Sequence, residues 1–317
     1  MGLILTGLLH ASSAPAFAAS VFVASQEAGQ LARIETDANA VTATIDVQAG
    51  PAAAATDAQG RIYLSHPDHH AITIVDGGTN RVLKRLPYAG QPFGIAADPD
   101  GRVVYVGDWK AGHVARLSTE TGAIEATVAV GKDPANLVID RGGRLWVADR
   151  ESHQISVVDG ARMERIATIP VGEAPFALGL SPSQDRLYVA NVRSNDLSVI
   201  DTAKLKLLST VPVGAMPYGV ATSADGSRIL VTNQHASTVS VIDAASLTLA
   251  GTVKVGRYPE GVVVSGGNAY VANWFSEDVS VIDLASLTER ARIHVGEGPR
   301  YLAVATGNRS RHSEAVP

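Results

Sequence analysis

The chain has no cysteine among its 317 residues, which rules out a disulfide framework and a covalently attached c-type haem. Charge is sparse, at 18% of residues, and close to balanced: 26 Lys and Arg stand against 31 Asp and Glu, for a net −5. A basic surface suited to nucleic acid is therefore not expected. The one apolar run near the N-terminus, Leu3–Leu9, is far shorter than the roughly 20 residues a spanning helix needs. No stretch keeps a 3.6-residue hydrophobic period, so long amphipathic helices are excluded. A nucleophile elbow, a glycine-rich phosphate loop and a zinc-protease helix are also missing.

What the sequence does contain is a repeat. Prolines at Pro51, Pro92, Pro134, Pro175, Pro217, Pro259 and Pro299 step by 41, 42, 41, 42, 42 and 40 residues. The later ones close a Gly-x-x-Pro turn, as in Gly131–Pro134, Gly172–Pro175, Gly214–Pro217 and Gly256–Pro259. After each comes a segment such as Tyr188-Val189-Ala190-Asn191 or Leu230-Val231-Thr232-Asn233, and then a Ser-Val-Ile-Asp-like run ending at Asp159, Asp201, Asp243 or Asp283. A period in this range, built of short β-branched runs between turns, is the signature of a β-propeller blade.

One period resolves into four strands. In residues 176–213, a small-residue strand Phe176–Leu180 leads into a turn at 181–185. Arg186–Asn191, Asp196–Asp201 and Lys206–Val213 follow, with the alternation that marks strands. The first strand would lie nearest the axis, where blades crowd and Ala and Gly are needed. The Tyr or Trp of the second strand is expected between blades. The Asp ending the third strand is expected to accept local backbone N–H bonds.

The second-strand positions Phe22, Tyr63, Tyr105, Trp146, Tyr188, Leu230 and Tyr270, the third-strand ends and the turn prolines each number seven. The chain opens on a second strand, Ser20–Ser25, and ends on a first strand, Arg300–Ala305, so the C-terminal strand should complete the N-terminal blade and leave no open edge. The expected fold is thus all-β: a seven-bladed propeller of four-stranded antiparallel blades over residues 20–305, acting as a monomer. Residues 1–18 read as a signal peptide, with Ala14-Pro15-Ala16-Phe17-Ala18 supplying the small-x-small cleavage pattern. A basic n-region is missing from this stretch. The protein is accordingly expected to be periplasmic or secreted, with 306–317 a disordered tail.

The Leu230-Val231-Thr232-Asn233 and Tyr-Val-Ala-Asn segments, with the Gly-x-x-Pro turns and Ser-Val-Ile-Asp strands, resemble the YVTN family of β-propeller repeat proteins across roughly residues 20–305. The resemblance implies an exported seven-bladed propeller. It implies little about activity, because the repeat is scaffold. Analogy with propellers that accompany quinoprotein or copper enzymes adds an electron-transfer accessory as a third class.

Strand direction sorts the loops onto two faces, and the unusual residues collect on one, here called the top. Phe93, Trp109, Phe176, Phe275 and Trp274 fall there, as do six of the nine His. The residue after each turn proline forms an inner ring: Ala52, Phe93, Ala135, Phe176, Tyr218, Glu260 and Arg300. The expected ligand-binding set is Phe93, Trp109, Phe176, Tyr218, Arg257, Glu260, Trp274 and Arg300. Glu260 and Arg300 either pair with each other or leave Arg300, with Arg257 and Arg193, to clamp an anion.

A second ring comes from the second-strand ends: Ser25, His66, Asp108, Asp149, Asn191, Asn233 and Asn273. There His66, Asp108 and Asp149, on consecutive blades, offer an imidazole and two carboxylates to a divalent metal ion. His70, His113 and His153 begin third strands and diverge with their blades. The favoured function is a non-catalytic scaffold binding a protein partner or small ligand on the top face. The alternative is a metal-dependent hydrolase, lactonase, lyase or oxidoreductase at the mouth of the channel.

Overall fold

The structure, a computed structural model, describes residues 19–305; the signal peptide expected at 1–18 and the tail expected at 306–317 lie outside them. Twenty-eight strands form seven four-stranded antiparallel sheets. In one blade they are Pro175–Leu180, Arg186–Asn191, Asp196–Asp201 and Lys206–Pro212. Closure follows the expected route. Pro299–Ala305 pairs with Ser20–Ser25, placing Val21 opposite Val304 and Val23 opposite Leu302.

The burial pattern explains why these residues make these strands. Second and third strands lie between neighbouring blades, so both of their faces are covered. Arg186–Asn191 is buried at every position after its first residue. Fourth strands form the rim and show alternating exposure, leaving Leu207, Leu208 and Leu249 at the surface. First strands crowd at the axis. A Cβ on Gly219 would lie 2.3 Å from the Glu260 carbonyl oxygen, and one on Gly261 2.6 Å from that of Arg300. Only glycine admits so close an approach.

Second-strand rings couple the blades. Tyr63 and Tyr270 are fully buried. The Tyr105 hydroxyl donates to the Gly160 carbonyl at 3.1 Å and that of Tyr270 to Asn39 Oδ1 at 2.9 Å, each on the next blade. The third-strand Asp residues close local turns as expected: Asp243 Oδ1 accepts from the N–H groups of Ala245 and Ser246 at 3.1 and 2.9 Å.

The Gly-x-x-Pro loops are rigid for an identifiable reason. The residue before each proline is left-handed, with φ of 55° at Ala174, 54° at Met216 and 58° at Tyr258. Its carbonyl then accepts the N–H just past the second strand, from Val192, Gln234 and Trp274 at 2.9–3.0 Å. Both loops of the top face are thereby tied together in these blades, whereas Pro67, at the equivalent position of another blade, has no N–H to donate.

Candidate functional site

The top mouth is shaped by a repeated irregularity. In six blades the first strand carries one extra residue just past its proline: Pro217 faces Asn233, yet the next pair is Val220 with Val231. Such a bulge redirects side chains. It places Phe93, Phe176, Tyr218, Glu260 and Arg300 at the mouth. In the remaining blade the paired strand begins at Ala53, opposite Ser65, and Ala52 holds the equivalent position.

These side chains close on one another. Phe93 packs on Trp109 with ring centroids 4.6 Å apart and meets Phe176 edge-on at 6.0 Å, while Phe176 and Tyr218 approach to 4.1 Å. The Arg300 guanidinium lies 5.5 Å from the centroid of Phe93 and 5.8 Å from those of Tyr218 and Trp274. Cation–π contacts of this kind are worth about 0.5–2 kcal/mol each, more when desolvated. Arg300 Nη1 donates to Gln26 Oε1 at 2.8 Å, and Nη2 donates to the Tyr218 hydroxyl.

The pairing with Glu260 is imperfect. Arg300 Nε and Glu260 Oε2 are 3.1 Å apart, but the geometry makes no aligned hydrogen bond, and both atoms are buried without a hydrogen-bond partner. Gln234 Nε2 donates to the other carboxylate oxygen at 3.1 Å. Burial pushes the Glu260 carboxyl up to about 7, against the opposing pull of Arg300 and Gln234. Burial also works against the Arg300 charge, but Tyr218 and Glu260 outweigh it and hold the group above its usual range. The mouth thus contains a fixed cation beside an acid that titrates near neutrality.

Of the residues expected on the top face, Phe93, Trp109, Phe176, Tyr218, Glu260, Trp274 and Arg300 are brought together. Arg257 is not: it is exposed and donates to the Phe275 carbonyl. Arg193 is engaged by Glu151, with two bonds of 2.9 and 2.7 Å. A three-arginine clamp is therefore not assembled.

The structure does not assemble His66, Asp108 and Asp149 as a metal site either. Among the described residues no group of three or more His, Cys, Asp or Glu is placed to hold a metal ion. The reason lies in the side that second-strand ends present. Asn191 Nδ2 donates outward to Asp196 Oδ1 at 2.6 Å and Ser198 Oγ at 2.9 Å, and Asn273 repeats this with Asp278 and Ser280. Asp149 takes the same place as an acceptor, receiving Ser156 Oγ at 2.6 Å and Gln154 Nε2 at 3.0 Å. Asp108 caps its own loops through the N–H groups of Ala111 and Gln91 at 3.0 and 3.2 Å. His66 Nδ1 meets the Ala49 carbonyl at 3.1 Å, and its buried Nε2 has no partner. Burial lowers the His66 imidazole to about 4. This inner packing also accounts for the turn glycines, since a Cβ on Gly256 would lie 2.5 Å from Asn273 Cγ.

The residues that face the mouth from the second loop lie one position further on, where strand alternation reverses the side. Gln26, Trp109, Gln234 and Trp274 occupy that position. Trp109 and Trp274 are conspicuous in the sequence as aromatics. Gln26 and Gln234 are not, and only the step of one residue past the second strand could have marked them.

Fold and mouth together define a closed seven-bladed β-propeller with a plugged, Arg-centred top face. Residues 111–268 match the family described as YNCE-like beta-propeller. The uncharacterized protein YncE of Salmonella typhi is 29% identical over 126 residues, 38% of this chain and 35% of its own length. The matches cover about a third of the length of the curated relatives. A functionally unknown protein from Desulfotomaculum acetoxidans superposes with a TM-score of 0.78 at 14% identity, over 91% of this chain and 99% of its own. The dihydro-heme d1 dehydrogenase NirN in complex with DHE superposes with a TM-score of 0.65 at 14% identity, over 87% of this chain and 63% of its own.

Proposed function

We propose that this protein is an exported, non-catalytic propeller of the YVTN-repeat type that binds a small, flat, anionic ligand on its top face. The observation that carries this reading is Arg300, framed by Phe93, Tyr218 and Trp274, with Nε lacking an aligned acceptor. Rings supply area for a planar ligand, and a guanidinium recognises a carboxylate. Protonation of Glu260 near pH 7 frees Arg300 from its counter-charge, so an anion should bind more tightly on the acid side. The metal-dependent enzyme reading gains no support from the geometry, because its three donors serve separate local roles.

The test is a titration with 2-naphthoate, followed by tryptophan fluorescence, with 2-naphthylmethanol as the neutral comparator. Haemin serves as a larger planar carboxylate, prompted by the NirN complex. Naphthoate should bind better than the alcohol, lose affinity as pH rises through 7, and lose it further in Arg300→Gln. Equal affinity for the alcohol, or an unaffected Arg300→Gln, would sink the reading.

A further inference from the structure

Below the aromatic plug the channel widens into a cavity of about 300 Å³. Phe176 and Tyr218 form part of its roof, and its walls run down to Thr56, Ala97 and Ile139, the last residues of three first strands. Its side-chain lining is mostly aliphatic, as at Ile95, Leu178 and Val220, and none of the lining residues carries a formal charge. Every first strand ends its sheet, so one edge of each is left without a ladder partner at the axis.

Two residues interrupt this lining. The second residue past the turn proline is Ala53, Gly94, Ala177, Gly219 or Gly261 in five blades, as crowding demands. In the other two it is Asn136 and Tyr301, which stand three blades apart and meet across the channel, Asn136 Nδ2 donating to the Tyr301 hydroxyl. Accepting that bond leaves the Tyr301 O–H hydrogen free to donate, and the Asn136 carbonyl oxygen free to accept. Neither group makes another hydrogen bond among the described residues. Burial raises the Tyr301 phenol, so it remains a donor.

We infer that this channel is a second binding site, taking a compact, uncharged molecule with an apolar body and an amide-type donor–acceptor edge, which bonds to Tyr301 and Asn136. Mostly apolar walls with a few convergent polar groups are the usual composition of a ligand pocket, and the volume falls at the small end of the range. A charged ligand is disfavoured because no counter-charge lines the cavity. Entry is from the bottom face, since the plug covers the top. The inference is independent of the top-face reading.

The probes are benzamide, with benzoate and toluene as comparators, measured by titration calorimetry and by the shift in melting temperature. Benzamide should bind saturably at one site, and benzoate should not. Tyr301→Phe keeps the ring and should weaken benzamide about tenfold, the loss expected for one hydrogen bond, while leaving toluene unchanged. The double variant Tyr301→Phe with Asn136→Leu should treat benzamide and toluene alike. Trp274→Ala, at a residue that does not line the cavity, should leave benzamide binding intact. No saturable benzamide binding, benzoate binding as well as benzamide, indifference to Tyr301→Phe, or loss in Trp274→Ala would each overturn the site.

Discussion

His66 and Glu260 should tilt the pH dependence of stability in opposite directions. His66, fully buried, titrates at about 4 rather than 6.5. Its contribution is present above pH 6.5 and is lost as pH falls through about 4, because the unfolded chain binds the proton that the fold refuses. Glu260, 4% exposed, titrates at about 7 rather than 4.5. Its contribution is present below pH 4.5 and is lost as pH rises through about 7. Each shift corresponds to about 3 kcal/mol, at about 1.4 kcal/mol per unit. Between pH 4.5 and 6.5 the two slopes oppose and largely cancel in the wild type. His66→Asn installs the residue found at the equivalent ends Asn191, Asn233 and Asn273, so the fold should persist; its stability relative to wild type should rise by about 3 kcal/mol from pH 6.5 down to 4. Glu260→Gln keeps an acceptor for Gln234, and its relative stability should rise by about 3 kcal/mol from pH 4.5 up to 7. Urea unfolding of all three proteins at half-unit pH steps reads both slopes, with every other titrating group subtracted by difference. Relative stabilities flat to within about 0.5 kcal/mol over these windows would refute the burial argument for both groups.

Deleting residues 299–317 removes the strand paired to Ser20–Ser25 and opens an edge; size-exclusion chromatography should show aggregation, and a monomer with an unchanged melt would contradict the closure. Trp146→Phe deprives Asp140 Oδ2 of its 3.0 Å bond from Nε1 but leaves the one from Arg144; a cost of about 1–2 kcal/mol is expected, against about 3–5 for Trp146→Ala, both by denaturant melts. Tyr270→Phe should cost about 1 kcal/mol by cutting the hydroxyl bond to Asn39 on the closing blade, and an increase in stability would show that bond to be strained. Trp109→Ala, at a half-buried position stacked on Phe93, should cost less than Trp146→Ala in the same melts; equal costs would make the top ring ordinary core.

The fold was legible because its causes repeat. Each blade needs a tight turn, a covered second strand and a capped third, so the same residues recur every 41 or so positions, and seven noisy copies reinforce one pattern. The mouth is harder to read because it depends on departures from that pattern. Phe93, Tyr218, Glu260 and Arg300 were conspicuous as large or charged residues after a proline, where the period otherwise allows alanine. Their convergence comes from a one-residue bulge that no residue type announces.

The direction of the second-strand ends explains why the expected metal donors are not brought together. Two-residue alternation carries over from the second strand into the loop, so His66, Asp108 and Asp149 turn toward their own blades. The next residues, Gln26, Trp109, Gln234 and Trp274, turn to the axis. A ring of positions equivalent by repeat is equivalent in direction as well, and a donor set drawn from one ring inherits whichever side that ring faces. Chemistry at a propeller mouth is therefore best sought where two rings of opposite phase meet. Here that meeting point is Arg300, reached by Gln26 and Trp274 from one ring and by Phe93, Tyr218 and Glu260 from the other.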